Sequence, residues 1–145
     1  MDLLLLTQVL TGLSAVFFLA WSVTVIPGTK EISDKSYLEA MKSINMKILN
    51  PIFFILFFGP VPLLIYNATS LEHLSVVAAL TYLIGPIGIT MTKNVPLNNK
   101  LDAQDLIKLT KEEEGSFRKM YEPIWNKWHY FRTFISVISF VLVLI

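Results

Sequence analysis

The sequence predicts an all-α integral membrane protein, and three observations support this fold class. Of its 145 residues, 54% are hydrophobic and 16% are charged, which is too apolar for a typical soluble domain of this size. Four segments are long enough to cross a membrane, since about 20 helical residues span a hydrocarbon core of about 30 Å. All 12 Lys and Arg residues fall in two stretches, 30–47 and 93–132. We therefore expect one membrane domain over residues 1–145, folded as a four-helix transmembrane bundle.

The first span is predicted over residues 3–26, which carry no charge. The segment lacks the basic region that opens a signal peptide, and its apolar run is longer than that of such a peptide, so we expect an uncleaved anchor. One helical face carries Thr7, Thr11, Ser14 and Trp21. Because small and polar side chains support helix association in lipid, we interpret this face as a packing surface.

The second and third spans are predicted over residues 48–71 and 74–92. Residues 36–47 can extend the second helix inward, and the Gly59-Pro60 sequence must kink it because proline lacks an amide hydrogen. The expected inward face of the third span consists of Thr81, Gly85, Gly88 and Thr92. This face favours close packing, either inside the bundle or in a homo-oligomer.

The loop after the third span carries apolar residues at roughly helical spacing, among them Leu106, Leu109 and Phe117. We therefore expect a short amphipathic interfacial helix over residues 102–121, between the third and fourth spans, broken near Gly115. Acidic residues share this stretch, so no unbalanced basic face remains for nucleic acid, and membrane lipids are the expected partners. Excess positive charge in the inner loops predicts that both termini lie outside. The membrane that we expect is a bacterial cytoplasmic membrane.

The fourth span, residues 125–145, is long enough only if it includes the charged Arg132. One of its faces carries Trp125, Trp128, His129, Arg132, Ser136 and Ser139. Counting back from Ile145 at about 1.5 Å per residue puts Arg132 roughly 10 Å inside the hydrocarbon core. Two interpretations stay open: the side chain snorkels to a lipid phosphate, or it faces the interior and needs a partner.

Asparagines at the same depth are candidate partners for an interior Arg132. Asn45 and Asn50 lie at the cytoplasmic start of the second helix, and Asn94 and Asn98 follow the third span. On their own, Asn50-Pro51 predicts a helix cap and residues 94–99 predict a turn. An anionic ligand would also suit a buried guanidinium group.

Several motifs occur in a characteristic order along the chain. AMKSIN at residues 40–45 and Asn50-Pro51 are followed by NVPLNNKL at residues 94–101 and by WNKWHYFRT at residues 125–133. In this order they resemble the anthrone oxygenase-like family of small four-helix membrane proteins, most of which have no assigned function. Relatives often have Asn where this chain has His129.

The resemblance implies oxidation of an acidic methylene group by O₂ to give a quinone, without flavin, haem or metal. Such a reaction needs a base and a group that holds the resulting anion, so His129 and Arg132 are the catalytic candidates. A flat apolar phenolic or quinone-type compound would stack on tryptophans and be oriented by amides. The candidate substrate-binding residues are Asn45, Asn50, Asn94, Asn98, Trp125 and Trp128.

Whether the chain is an enzyme stays open at this point. The alternative is a non-catalytic structural or lipid- or small-molecule-binding membrane protein, in which the same polar cluster locks the helices together. A small exporter is less favoured, since the spans contain no acidic residue for proton coupling. A cavity beside Arg132 would favour ligand chemistry, and a packed polar plug would favour the structural role.

Overall fold

The computed structural model describes residues 2–69 and 73–145, and the regular structure in these ranges is entirely helical. Five helices are described: α1 (Leu3–Gly28), α2 (Asp34–Lys47), α3 (Pro51–Ala68), α4 (residues 73–102) and α5 (Lys111–Leu144). Three of them, α1, α3 and α4, are long and apolar enough to cross a membrane. The predicted end of the second span at Leu71, with part of the middle loop, lies outside the described residues.

Helix α1 is polar on its buried side and apolar on its exposed side. Thr7 and Thr11 are 0% exposed, whereas Val16 is 59% and Val23 62% exposed. In a soluble protein this distribution would be inverted, so the exposed face suits contact with lipid. Ser14 is also buried, and the prediction that these side chains form a packing face is confirmed.

Helices α2 and α3 are separated by a break, although the sequence suggested one continuous helix. Asn50 causes the restart: its Oδ1 accepts a hydrogen bond of 3.0 Å from the Phe53 amide, and Pro51 is the first helical residue. The predicted cap at Asn50 is therefore confirmed. Further along α3, regular helix is interrupted at Gly59, and the Tyr82 hydroxyl donates a hydrogen bond of 2.8 Å to the Phe57 carbonyl in this region.

Helix α4 changes its winding in the middle. Residues His73–Tyr82 are α-helical, Leu83–Asn94 form a π-helix with Pro86 inside it, and Val95–Asp102 return to α-helix. The expected inward face assumed an α-helical period, and it is wrong beyond Gly85 because the wider π-turns shift the register. The buried residues are instead Gly85, Pro86, Ile89, Thr90 and Asn94.

Residues 94–99 are helical rather than a turn, and the predicted interfacial helix over residues 102–121 is wrong. Helix α5 runs without interruption through Gly115, starting from a capping box in which Thr110 and Glu113 satisfy each other's amides. Gly115 permits close packing instead of breaking the helix, because a Cβ there would lie 3.0 Å from Asp34 Oδ2. The apolar residues in the first turns of α5 belong to a core rather than to a membrane surface.

Arg118 ties the α1–α2 loop to α5. Its Nη1 donates to the Ile32 carbonyl at 2.7 Å and its Nη2 to the Thr29 carbonyl at 2.9 Å. The same guanidinium pairs with Glu122 at 2.6 Å and lies 4.4 Å from the centre of the Tyr37 ring. These contacts fix the end of the molecule that carries most Lys and Arg residues, called here the basic end.

Helix α5 is the centre of the packing, since it contacts α1, α2 and α4. At the basic end a hydrophobic cluster includes Leu38, Leu101 and Tyr121, all 0% exposed. Near the middle, the Ser14 hydroxyl shares a hydrogen bond of 2.8 Å with Tyr82. The cluster at the basic end and the polar contacts at the centre hold α1, α4 and α5 in register around the candidate site.

Candidate functional site

A cavity of about 150 Å³ lies at the basic end, where α1, α4 and α5 meet the α2–α3 junction. Its lining is largely apolar, with the buried polar side chains of His129 and Arg132 at its inner end. The exposed lining residues, Leu49, Asn99 and Asp102, mark its mouth between the α2–α3 junction and the last turn of α4. Five of the predicted site residues line it: Asn45, Asn98, Trp125, His129 and Arg132. The other three predicted residues, Asn50, Asn94 and Trp128, lie outside it.

Arg132 faces the interior of the molecule and is 7% exposed. Its Nη1 donates to Thr90 Oγ1 at 2.8 Å, and its Nε and Nη2 lie 3.3 and 2.9 Å from His129 Nδ1. Since a guanidinium has five N–H groups, two remain without an acceptor among the described residues. Arg132 also forms no ion pair within the described ranges. Its positive charge is therefore buried without a carboxylate partner in this part of the chain.

His129 holds Arg132 through one ring nitrogen and α1 through the other. Its Nε2 lies 3.1 Å from the Phe18 carbonyl, which can only accept, so Nε2 carries the hydrogen. Nδ1 is then the unprotonated nitrogen that accepts from Arg132. The ring stacks on Trp125 with a centroid distance of 5.1 Å and an angle of 6°. Both nitrogens are thus occupied, and the ring orientation is fixed.

Asn98 joins α4 to α5 at the wall of the cavity. Its Oδ1 accepts from Trp125 Nε1 at 2.8 Å and from the Tyr121 hydroxyl at 3.0 Å. Burial raises the pKa of the Tyr121 phenol, so this hydroxyl stays a donor at neutral pH. The Asn98 amide nitrogen, Nδ2, makes no hydrogen bond within the described residues, which leaves it free to donate.

The predicted residues outside the cavity support it. Asn94 Nδ2 donates to the Trp125 carbonyl at 3.2 Å, and Asn50 caps α3. Trp128 is half-buried, with the Lys93 ammonium 5.1 Å from the centre of its ring. Within the cavity, Asn45 is 8% exposed, and its buried Nδ2 makes no hydrogen bond to the described residues.

Eleven residues of the cavity lining were not predicted as site residues, among them Phe18, Trp21, Thr90 and Asp102. The Phe18 ring centre is 4.8 Å from the Arg132 guanidinium carbon, within the range of a cation–π contact. Thr90 reaches Arg132 only because residues 83–94 form a π-helix, which no sequence period indicated. Trp21 opens a second, shorter π-helical turn, Trp21–Val25, so both π-helices contribute to the cavity. Asp102 lines the mouth and is exposed.

In the described part of the chain, no group of three or more His, Asp or Glu side chains is placed to hold a metal ion. Titratable residues in the cavity are instead spread from its inner end to its mouth, at His129, Arg132 and Asp102.

The comparison with protein families gives one match. A family described as Anthrone oxygenase matches residues 39–142, a range that extends from within α2 to near the end of α5 and includes all eight predicted site residues. No curated protein and no solved structure matches the chain.

Proposed function

The chain belongs to the anthrone oxygenase family, and from this premise we propose that its cavity binds a flat, apolar phenolic or quinone-type compound as an anion. The observation that carries the proposal is the Arg132 guanidinium, which has two unused N–H groups and no ion-pair partner among the described residues. An anionic oxygen placed there would accept charge-assisted hydrogen bonds and compensate a buried charge.

The walls of the cavity suit the apolar part of such a ligand. The centres of the Phe18 and Trp125 rings lie 4.8 and 5.3 Å from the Arg132 guanidinium, and Trp21 also lines the cavity. An aromatic ring system bound there would meet flat apolar surfaces beside the charge. An apolar cavity of about 150 Å³ accepts a benzene ring. A three-ring compound would therefore place one end beside Arg132 and extend through the mouth towards Leu49, which is 66% exposed.

We propose four membrane spans, with the apolar part of α5 as the fourth and the basic end on the cytoplasmic side. In this arrangement the mouth lies near the boundary between lipid and water. Its apolar side is formed by Ile48 and Leu49, and its polar side by Asn99 and Asp102. A poorly soluble aromatic compound could then enter from the membrane leaflet while its oxygen atoms stay hydrated.

The reaction we propose is oxidation of an acidic methylene group by O₂, which yields a ketone of the quinone type and one molecule of water. The methylene group first loses a proton, and Arg132 stabilises the resulting oxyanion. Asn45 and Asn98 orient the other ligand oxygens. His129 positions Arg132, because its Nδ1 accepts a hydrogen bond of 2.9 Å from the guanidinium. Nδ1 must stay unprotonated for this, since a proton there would repel the guanidinium.

The alternative, a polar plug that only locks the helices, is favoured by one observation. Asn98 Oδ1 is already occupied by Tyr121 and Trp125 from α5, and Asn94 bonds the α5 backbone. In that role the cavity would stay empty of ligand. Both functions predict that these contacts contribute to stability, so only ligand binding distinguishes them.

Purified protein in detergent provides the test. Under air, we expect the protein to oxidise anthrone faster than buffer alone does. Under nitrogen, the protein should not accelerate this oxidation. We also expect a hydroxyanthraquinone to bind to the protein. Arg132→Gln removes the charge, and charge-assisted hydrogen bonds contribute about 1.5–3 kcal/mol, so affinity should fall roughly 10- to 150-fold.

Lys127→Gln is the matched control, because this exposed lysine lies on the same helix but outside the cavity. It should leave binding and oxidation unchanged. Failure of the wild-type protein to bind the hydroxyanthraquinone, together with no oxidation above the buffer rate, would refute the proposed function in favour of the polar plug.

A further inference from the structure

The proposed reaction requires a base, and the geometry of His129 makes it a poor one. Its Nε2–H donates a hydrogen bond to the Phe18 carbonyl, and the lone pair on Nδ1 accepts a hydrogen bond from Arg132. Taking up a proton would break the contact that positions Arg132 just when the ligand becomes negatively charged. A proton acceptor should instead lie elsewhere along the cavity.

Asp102 is the one carboxylate that lines the cavity within the described residues. Val95, Asn98, Asn99 and Asp102 all line it, at positions i, i+3, i+4 and i+7 of the last turns of α4. These four side chains therefore form one face of the helix. Along it Asp102 lies about 6 Å from Asn98, on the side of the mouth, since a helix rises about 1.5 Å per residue.

The position of Asp102 is not explained by helix stability. It is the last residue of α4, where the negative end of the helix dipole disfavours a carboxylate. No ion pair holds it among the described residues, although the Lys42 ammonium bonds the carbonyl of Gln104 two residues away. The carboxylate is exposed, so water can remove a proton that it has accepted.

We propose that Asp102 is the catalytic base, an inference that rests on the proposed function. The C–H bond of the acidic methylene breaks, its proton forms an O–H bond with the Asp102 carboxylate, and the electron pair moves into the ring system and onto the oxygen held by Arg132. No oxidant is needed for this step. The ligand therefore spans the cavity, with its oxygen at the buried inner end and its methylene group at the mouth. Carboxylates act as bases towards such C–H bonds in other enzymes.

Proton transfer can be measured separately from oxidation. Under nitrogen in D₂O, the methylene hydrogens of anthrone exchange with solvent, and NMR follows their loss. We expect wild-type protein to accelerate this exchange. Asp102→Asn should reduce the acceleration roughly 100-fold, in the range found for general bases, while Asp102→Glu retains part of it. Hydroxyanthraquinone affinity and melting temperature should stay close to wild type in both variants.

Asp105→Asn is the matched control, because Asp105 lies only three residues after Asp102, pairs with Lys108 and is outside the cavity. Exchange that is as fast in Asp102→Asn as in wild type, with ligand still bound, would overturn Asp102 as the base and leave the binding function intact. Binding by the wild-type protein without accelerated exchange would do the same. A wild-type protein that neither binds nor accelerates exchange would refute the proposed function itself.

Discussion

The contact between Gly85 and Ile135 gives a sharp test of how α4 packs on α5. A Cβ atom added to Gly85 would lie 2.3 Å from Ile135 Cγ2 and 2.8 Å from Ile135 Cβ. Atoms cannot approach so closely, so Gly85→Ala must push the two helices apart or distort Ile135. The hydrogen bond of 2.8 Å between Arg132 and Thr90 crosses the same interface and should lengthen.

The expected change in stability has two opposing parts. Replacing a helical glycine by alanine stabilises by about 0.5–1 kcal/mol through reduced backbone freedom. Overpacking a closely fitted interface costs about 1–3 kcal/mol. The free energy of unfolding of Gly85→Ala should therefore fall by up to about 2.5 kcal/mol. Gly28→Ala is the control, because a Cβ there has no neighbour within 4 Å, and it should be as stable as wild type or slightly more so.

Unfolding of both variants in detergent, followed by circular dichroism against temperature, measures the difference. A double-mutant cycle with Ile135→Ala then isolates the clash. The double mutant should be about 1–3 kcal/mol more stable than the sum of the two separate effects predicts. If Gly85→Ala were as stable as Gly28→Ala, and the cycle showed no coupling, the close approach of α4 to α5 would be wrong.

Two further substitutions test the supports of the site. Arg118→Ala should lower the free energy of unfolding by about 3 kcal/mol, because Glu122, whose side chain is 17% exposed, loses its partner; an unchanged melting curve would contradict this. Asn98→Leu leaves Trp125 Nε1 and the Tyr121 hydroxyl without an acceptor. The free energy of unfolding, measured by denaturant titration, should therefore fall by about 1–3 kcal/mol for each of these groups that remains buried. A fall below about 0.5 kcal/mol would show that water replaces the amide.

The face of α5 could be predicted because a long α-helix keeps one period. Of the six residues on the predicted side, Trp128 is half-buried and the other five are buried: Trp125, His129, Arg132, Ser136 and Ser139. The end of α1 at Gly28 lies close to the predicted end of the first span at residue 26. In both cases local spacing and uncharged length determine the result.

The parts that failed depend on contacts between distant residues. The π-helix in α4 brings Thr90 to Arg132, and nothing in the local composition indicates a change from an α- to a π-period. Gly115 looked like a helix breaker, but it makes room for Asp34, a residue 81 positions earlier in the chain. The role of His129 as a base stays a prediction, and its hydrogen-bond neighbours, Phe18 and Arg132, favour a positioning role instead.

The central claim is that Arg132 holds a ligand as its anion, and the ionisation of a bound phenol tests it most directly. A hydroxyanthraquinone changes colour when its phenol loses a proton, so an absorbance titration gives the pKa of the bound compound. Asp102 lines the cavity, and Tyr121 bonds Asn98 in its wall, so both groups also affect the pKa of the bound compound. Both are unchanged in wild type, Arg132→Gln and Lys127→Gln, so a difference among these three proteins reports on Arg132. Charge-assisted hydrogen bonding predicts that the pKa of the bound phenol is about 1–2 units lower in wild type and in Lys127→Gln than in Arg132→Gln. The same pKa in all three proteins would contradict the account.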